Sequence, residues 1–140
     1  MIVRSGTALY ALPASDVVRV VRRLICYPVP GAQLHLLGLA QYGGEPLPVL
    51  DLHVLVEGGP SGSRQRATVI LGRGRRRDRS VLGLAVDEVL RVAELPEFSP
   101  LEEGSRVTVG SVAFDEVVAT VVNTGSILGE ASEETGAPHG

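Results

Sequence analysis

The sequence has 140 residues, of which 44% are hydrophobic, and 13 basic and 16 acidic residues give a net charge of −3. This length suits one globular domain, or two very small ones that share a core. The acidic excess lies after residue 128, so residues 1–128 are formally neutral, which argues against general attraction to nucleic acid or membrane surfaces. Cys26 is the only cysteine, which excludes an intramolecular disulfide and a thiolate metal cluster.

The N-terminal apolar run is too short for a secretion signal. The longest segment without a charged residue, 24–44, is interrupted by Pro28, Pro30, Gly31 and Gly38, which is incompatible with an uninterrupted membrane-spanning helix. We therefore expect a cytoplasmic protein without direct membrane insertion.

Short runs of Val, Ile and Leu, bounded by Gly and Pro, predict strands at intervals of about 8 to 12 residues. In chain order the predicted strands cover residues 8–12, 17–25, 34–40, 47–50, 67–71, 81–86, 89–95, 106–112 and 117–122. Residues 57–63 lack large apolar side chains and are predicted to form a connector. The pattern is typical of a mostly β protein, a small sandwich or barrel.

The sequence also resembles itself when it is shifted by 72 residues. Residues 10–56 then align with residues 82–128 without a gap, and apolar, turn and small polar positions mostly coincide. Such self-similarity is the signature of a structural repeat. We predict repeat units of about 8–58 and 80–129 that form two small barrels side by side.

The repeat gives an interpretation of Asp51, the lone carboxylate that ends the stretch GGEPLPVLDL. In each unit an apolar strand ends in Asp or Asn, namely Asp51 and Asn123, and large apolar residues follow four and five positions later. Both residue types cap helices, because the side-chain oxygen accepts a hydrogen bond from a backbone N–H of the first turn. We predict that Asp51 and Asn123 are structural caps of short helical turns.

No pattern of catalytic residues is convincing. The segment from Asn123 to Ser126 imitates the Asp-Thr-Gly loop of aspartic proteases, but that chemistry needs two carboxylates and Asn does not ionise. His35, His53 and His139 lack partners at metal-ligand spacing, and the sequence has no nucleophile elbow or phosphate-binding glycine loop. We predict a protein that is not an enzyme and has no metal, no cofactor and no small-molecule substrate.

Arginines concentrate in the stretch Arg73–Arg79, between two predicted strands. A basic hairpin tip there could bind phosphates or an acidic protein surface. Single-strand binders usually add stacking aromatic residues, and the chain has three Tyr, two Phe and no Trp, none of them near the tip. A loop that faces solvent or a protein partner is favoured, and a nucleic-acid-binding barrel that uses the Arg73–Arg79 hairpin is the alternative.

Three motifs in order resemble the CheW-like family of chemotaxis adaptors. They are LYALPASDVVRVV, GLAQYGGEPLPVLDLHVLVEG and SVLGLAVDEVLRV, and the resemblance covers residues 3–128. It implies one domain over residues 1–128, built from two intertwined five-stranded SH3-like barrels, with an acidic and disordered tail at 129–140. It also implies a scaffold that joins the cytoplasmic tip of a methyl-accepting chemoreceptor to the regulatory domain of a histidine kinase, through partner-facing strands and the groove between the barrels.

The resemblance places partner contacts on two segments, a strand that begins at Val17 and the turn that ends at Gly44. The predicted partner-binding residues are Val17, Arg19, Val20, Gly38, Tyr42, Gly43 and Gly44. Both segments depart from the family pattern, which usually has Leu-Arg-Gly at 42–44 and an acidic residue at 19. These departures leave open a divergent family member with altered or inhibitory partner binding.

Overall fold

The computed structural model describes residues 1–22, 24–59, 65–73, 80–92, 99–100, 107–114 and 116–128. The predicted tail at 129–140 and all but Arg73 of the arginine stretch lie outside these residues. A 3-10 turn covers Ala14–Asp16, helix α1 covers Leu52–Glu57, and residues 124–128 form a second helix, α2. The described strands, β1 to β11 in order, are Ile2–Ser5, Ala8–Ala11, Val17–Arg22, Leu36–Tyr42, Glu45–Asp51, Ala67–Arg73, Ser80–Val86, Glu88–Arg91, Ser99–Pro100, Thr108–Phe114 and Val117–Val122.

The strands form two sheets that exchange hairpins. Barrel 1 has the strand order β3-β6-β7-β5-β4, and barrel 2 has the order β8-β1-β2-β11-β10-β9. The N-terminal hairpin β1–β2 therefore completes the sheet of the second half of the chain, and β6–β7 is shared with strands of the first half. The predicted class, a mostly β fold with two intertwined sheets, is confirmed.

The 72-residue shift holds at the level of strand register. Gly38 pairs with Val49 in barrel 1, and Gly110 pairs with Val121 in barrel 2. The parallel pairs also correspond, because Val49 lies opposite Gly83 and Val121 lies opposite Ala11. Bulges recur at matching sites in β3 and β8, and in β4 and β10.

Barrel 2 has six strands where five were expected, and the additional strand is β9. The strand β9 has two residues, and its Ser99 pairs with Ser111. Seventy-two residues earlier, Tyr27 forms an isolated bridge with Leu39. In each barrel the chain thus returns to the outer edge of a long hairpin, and β9 is the counterpart of the Tyr27 bridge.

Two strand ends and two whole strands differ from the sequence prediction. The predicted strand 17–25 ends at Arg22, because the chain leaves β6 there and crosses to β4, where Tyr27 exchanges two backbone hydrogen bonds with Leu39 at 2.8 and 2.9 Å. Similarly, β8 ends at Arg91, and residues 93–95 lie outside the described part. The prediction missed β1, and it missed β9, whose two residues are too few to show a strand pattern.

Two prolines lie inside β5, a strand with neighbours on both sides. Pro46 pairs with Gln41 and Pro48 with Leu39. Counted from the two-residue turn, both are non-hydrogen-bonded pairs of the antiparallel ladder, in which the backbone nitrogen of β5 points away from β4. On that other side β5 pairs with β7 only from Val49 onward, so neither proline removes a ladder hydrogen bond.

The core has one shared part and two local parts. The shared cluster contains fully buried side chains from both barrels and both helices, including Val3, Leu12, Leu52, Val69, Leu84 and Ile127. Each barrel adds a local cluster, and the two local clusters contain equivalent positions, such as Ala40 with Leu47 and Val112 with Ala119. Because the largest cluster spans the junction, the two barrels bury much of their apolar surface against each other.

Candidate partner-binding surface

The strand β3 is an edge strand of barrel 1 and pairs only with β6 among the described strands. A bulge between Val17 and Arg19 leaves Val18 36% exposed and Arg19 exposed. Val17 and Val20 are half-buried and pack against the shared core. An edge strand with free backbone groups and an exposed cation is suited to contact with another protein.

The second predicted segment lies at the opposite edge of the same sheet. Gly43 and Gly44 form the β4–β5 turn with φ values of 60° and 82°. Positive φ at both positions defines a type I′ turn, which favours glycine over arginine. Tyr42, just before the turn, is half-buried against the local cluster of barrel 1.

Gly38 has a structural role that the sequence did not reveal. It is buried, its φ is 154°, and a Cβ built there would overlap the carbonyl group of Tyr27. The backbone of Tyr27 and Pro28 covers this position, so Gly38 offers no side-chain site to a partner. A substitution at Gly38 therefore tests folding rather than binding.

A cleft of about 740 Å³ lies between the two barrels. Residues of β3 and of the approach to β6 form one wall, and residues from β1 and β8 form the other. The cleft is lined by Arg4, Val20, Arg22, Arg66, Glu88 and Val89, among others. Arg19 lies on the same edge strand but does not line the cleft.

The charged groups on the barrel 2 wall form ion pairs with each other. The Arg4 guanidinium lies 3.5 Å from Asp87 and 3.3 Å from Glu88. Asp87 is buried and also accepts hydrogen bonds from the backbone N–H groups of Gly6 at 2.8 Å and Gln65 at 3.2 Å. This network fixes the turn between β1 and β2 against the start of β8.

An exposed apolar segment lies between β3 and β4. Ile25 is 70% exposed, Tyr27 66% and Leu34 70%. A contiguous exposed apolar surface marks an interaction site, whereas singly exposed apolar residues are normal. The sequence signal for this exposed segment is the uncharged run 24–44.

Arg73, the first arginine of the predicted basic tip, forms a specific ion pair with Asp16. Its Nε and Nη2 atoms donate to the two oxygens of buried Asp16 at 3.1 and 2.8 Å, and the Thr124 hydroxyl donates to the same carboxylate. Burial alone would raise the pKa of Asp16, but the hydrogen bonds from Arg73 and Thr124 hold that pKa below its ordinary value. A side chain at Gly125 would overlap the Arg73 guanidinium, so glycine there makes room for the pair.

Both predicted cap residues lie at helix starts. Asp51 Oδ1 accepts from the Val54 backbone N–H at 3.1 Å, and Asn123 Oδ1 accepts from the Ser126 N–H at 3.2 Å. The buried Asp51 makes one more contact, because Gln65 Nε2 donates to its Oδ2 at 3.4 Å.

Two kinds of site are not found in the described part of the chain. No three His, Cys, Asp or Glu side chains there are grouped so that they could hold a metal ion. None of its helices has the length and apolar character that crossing a membrane requires.

The fold and the exposed edges define a double-barrel protein with a cleft between its barrels. The model of the CheW-like domain family matches residues 1–132, so the chain belongs to the CheW-like domain family. Among solved structures, the scaffolding protein TtCheW from Thermoanaerobacter tengcongensis is similar in fold, with a TM-score of 0.69 and 22% sequence identity over 87% of this chain and 86% of that chain. This likeness confirms the two SH3-like barrels. No curated protein matches the sequence significantly.

Proposed function

We propose that this protein is a non-enzymatic adaptor of a chemotaxis-type signalling system, which couples the cytoplasmic tip of a methyl-accepting receptor to the regulatory domain of a histidine kinase in the cytoplasm. Family membership over residues 1–132 carries the proposal. The double-barrel geometry supports it, because it offers two kinds of contact surface, an exposed strand edge and a cleft.

The two surfaces differ in the size of the partner that they accommodate. A cleft of about 740 Å³ accommodates a chain segment and not a globular domain. The kinase regulatory domain, as a globular partner, is therefore assigned to an exposed edge of barrel 1, either β3 with Val17 and Arg19 or the β4–β5 turn at Tyr42 to Gly44. The receptor tip is assigned to the cleft, where Val20 contributes apolar surface.

Reconstitution from purified components tests the proposal. The full chain is mixed with the receptor-tip fragment and the kinase regulatory domain of the same organism, and binding is measured by calorimetry and gel filtration. We expect each partner to bind alone and all three to form one complex. Binding of neither at about 100 µM contradicts the proposal.

Arg19 favours a variant of this function with altered partner choice. It is exposed where the family usually has an acidic residue, so the matching surface of the kinase should be acidic. We expect Arg19→Glu to weaken binding of the kinase domain. If the wild-type chain binds both partners but lowers kinase activity in the assembled complex, the protein is an inhibitory member of the family.

Salt-sensitive binding to nucleic acid that Arg75→Ala abolishes supports the alternative of a nucleic-acid-binding barrel.

A further inference from the structure

The two walls of the inter-barrel cleft differ in charge. On the barrel 2 wall, Arg4 is balanced by Asp87 and Glu88. On the barrel 1 wall, Arg22 and Arg66 are exposed, and the described residues supply no carboxylate or hydrogen-bond acceptor to either. The first wall therefore holds one guanidinium against two carboxylates, a formal charge of −1, and the second carries two positive charges without a carboxylate beside them among the described residues.

Both arginines line the barrel 1 wall of the cleft, at neighbouring backbone positions. Arg22 is the last residue of β3 and lies directly opposite Ala67 of β6, and Arg66 is the residue before Ala67. Arg66 precedes the first residue of β6 and is therefore outside the alternation of that strand, and the side chains of both arginines line the cleft. An anionic group that enters the cleft can accept charge-assisted hydrogen bonds from either guanidinium group.

Apolar side chains lie beside the arginines. Val20 and Val89 face the cleft from opposite walls and are both half-buried. A partner segment that fits this lining needs an apolar side chain between the two valines and carboxylates beside it, toward the barrel 1 wall.

We propose that the cleft selects an acidic amphipathic segment of its partner protein, and that Arg22 and Arg66 read the carboxylates of that segment. The inference rests on the proposed function and names the chemistry by which the receptor tip is chosen. It also separates two arginines on one strand, because Arg22 lines the cleft and Arg19 does not.

A crossed binding experiment tests this assignment, with the receptor-tip fragment and the kinase regulatory domain as the two probes. Arg22→Glu and Arg66→Glu should each weaken binding of the receptor fragment about tenfold, and the double variant should weaken it further. Neither should change the affinity for the kinase domain. Arg19→Glu is the matched control, and it should leave the receptor fragment unaffected. Thermal unfolding and circular dichroism establish that every variant is folded.

The salt dependence and a second probe sharpen the result. Wild-type affinity for the receptor fragment should fall as salt rises, and the double variant should lose most of this dependence. A receptor fragment whose Asp and Glu residues are replaced by Asn and Gln should bind the wild type weakly and should not distinguish it from Arg22→Glu.

The contradicting outcomes are separable. Equal affinity of the receptor fragment for wild type and for both cleft variants overturns the charge assignment and leaves the adaptor function standing. Equal losses for both probes indicate a general defect and also overturn it. Failure of the wild type to bind either probe overturns the proposed function and this inference with it.

Discussion

The two barrels share their strand register but are tied to each other by different side chains. The helix α1, which follows barrel 1, is held by Tyr10 of barrel 2, whose hydroxyl donates to Glu57 at 3.2 Å. The helix α2, which follows barrel 2, is held by Asp16 and Arg73 of barrel 1 through Thr124. Each barrel thus fixes the helix of the other.

This comparison separates what a duplication preserves from what it leaves to vary. Backbone pairing is preserved because a one-residue slip would turn the buried face of a strand to solvent. The ties between barrels depend on single side chains, and the equivalent of Tyr10 is Leu82, which is fully buried and apolar. A substitution can therefore destabilise one barrel, or remove one contact between the barrels, and leave the equivalent feature in the other repeat unit intact.

The largest expected effect is at Gly38. Gly38→Ala places a Cβ against the Tyr27 carbonyl at a backbone conformation unfavourable for any side chain, and we expect a loss of about 2–4 kcal/mol in the free energy of unfolding. Urea unfolding measures it. Gly43→Asn is the control, because Gly43 has open space around it and Asn tolerates its φ of 60°. Equal losses in the two variants would show that the Tyr27 approach is not the constraint.

The next effect concerns the tie at α2. Asp16→Ala removes the acceptor of both Arg73 and Thr124, and we expect the free energy of unfolding to fall by about 1–3 kcal/mol. The loss stays in this range because Arg73, whose side chain is 60% exposed, can turn to solvent. Thr124→Val removes one hydrogen bond at nearly constant shape and should cost about 1 kcal/mol. Hydrogen exchange should locate the change at α2 and the start of β3. Protection that is unchanged there would contradict the tie.

The caps allow a comparison of the two repeat units. Asp51→Ala should cost about 1–2 kcal/mol, because it leaves the Val54 N–H and the Gln65 amide without an acceptor, and Asn123→Ala should cost about 1 kcal/mol. Asp51→Asn keeps an acceptor for Val54, and a Gln65 side chain turned by about 180° presents its carbonyl oxygen to the new amide, so this variant should be nearly neutral. Thermal unfolding of the three variants measures these losses. A large loss of stability in Asp51→Asn would mean that the charge of Asp51, and not only its oxygen atoms, stabilises the fold.

The smallest expected effect is a pH dependence. The pKa of Asp16 is lower in the folded protein than its ordinary value near 3.8, so its contribution to stability is complete above that value and is lost as the pH falls through the folded pKa. Wild type should therefore lose more stability than Asp16→Asn between about pH 5 and pH 2. Parallel stability curves for the two proteins would remove Asp16 from the acid response.

Local sequence patterns determined the elements of this protein. Alternating apolar runs located nine of the described strands, the 72-residue shift identified equivalent strands, and the spacing after Asp51 and Asn123 placed the helix starts. These features depend on residues within one or two turns or strands of each other, where hydrophobic period and backbone preference act directly.

Only the tertiary structure decided the exchange of hairpins, the burial of Gly38, the pairing of Arg73 with Asp16 and the position of Arg22 and Arg66 in one cleft. Each depends on contacts between residues far apart in sequence, such as Asp16 with Thr124. Local patterns carry little information on which strands pair across such distances, because the same alternating run fits either barrel. The repeat predicted barrels side by side and the family resemblance implied that they intertwine, but it took the long-range strand pairing to bring β3 and β8 to the two sides of the cleft.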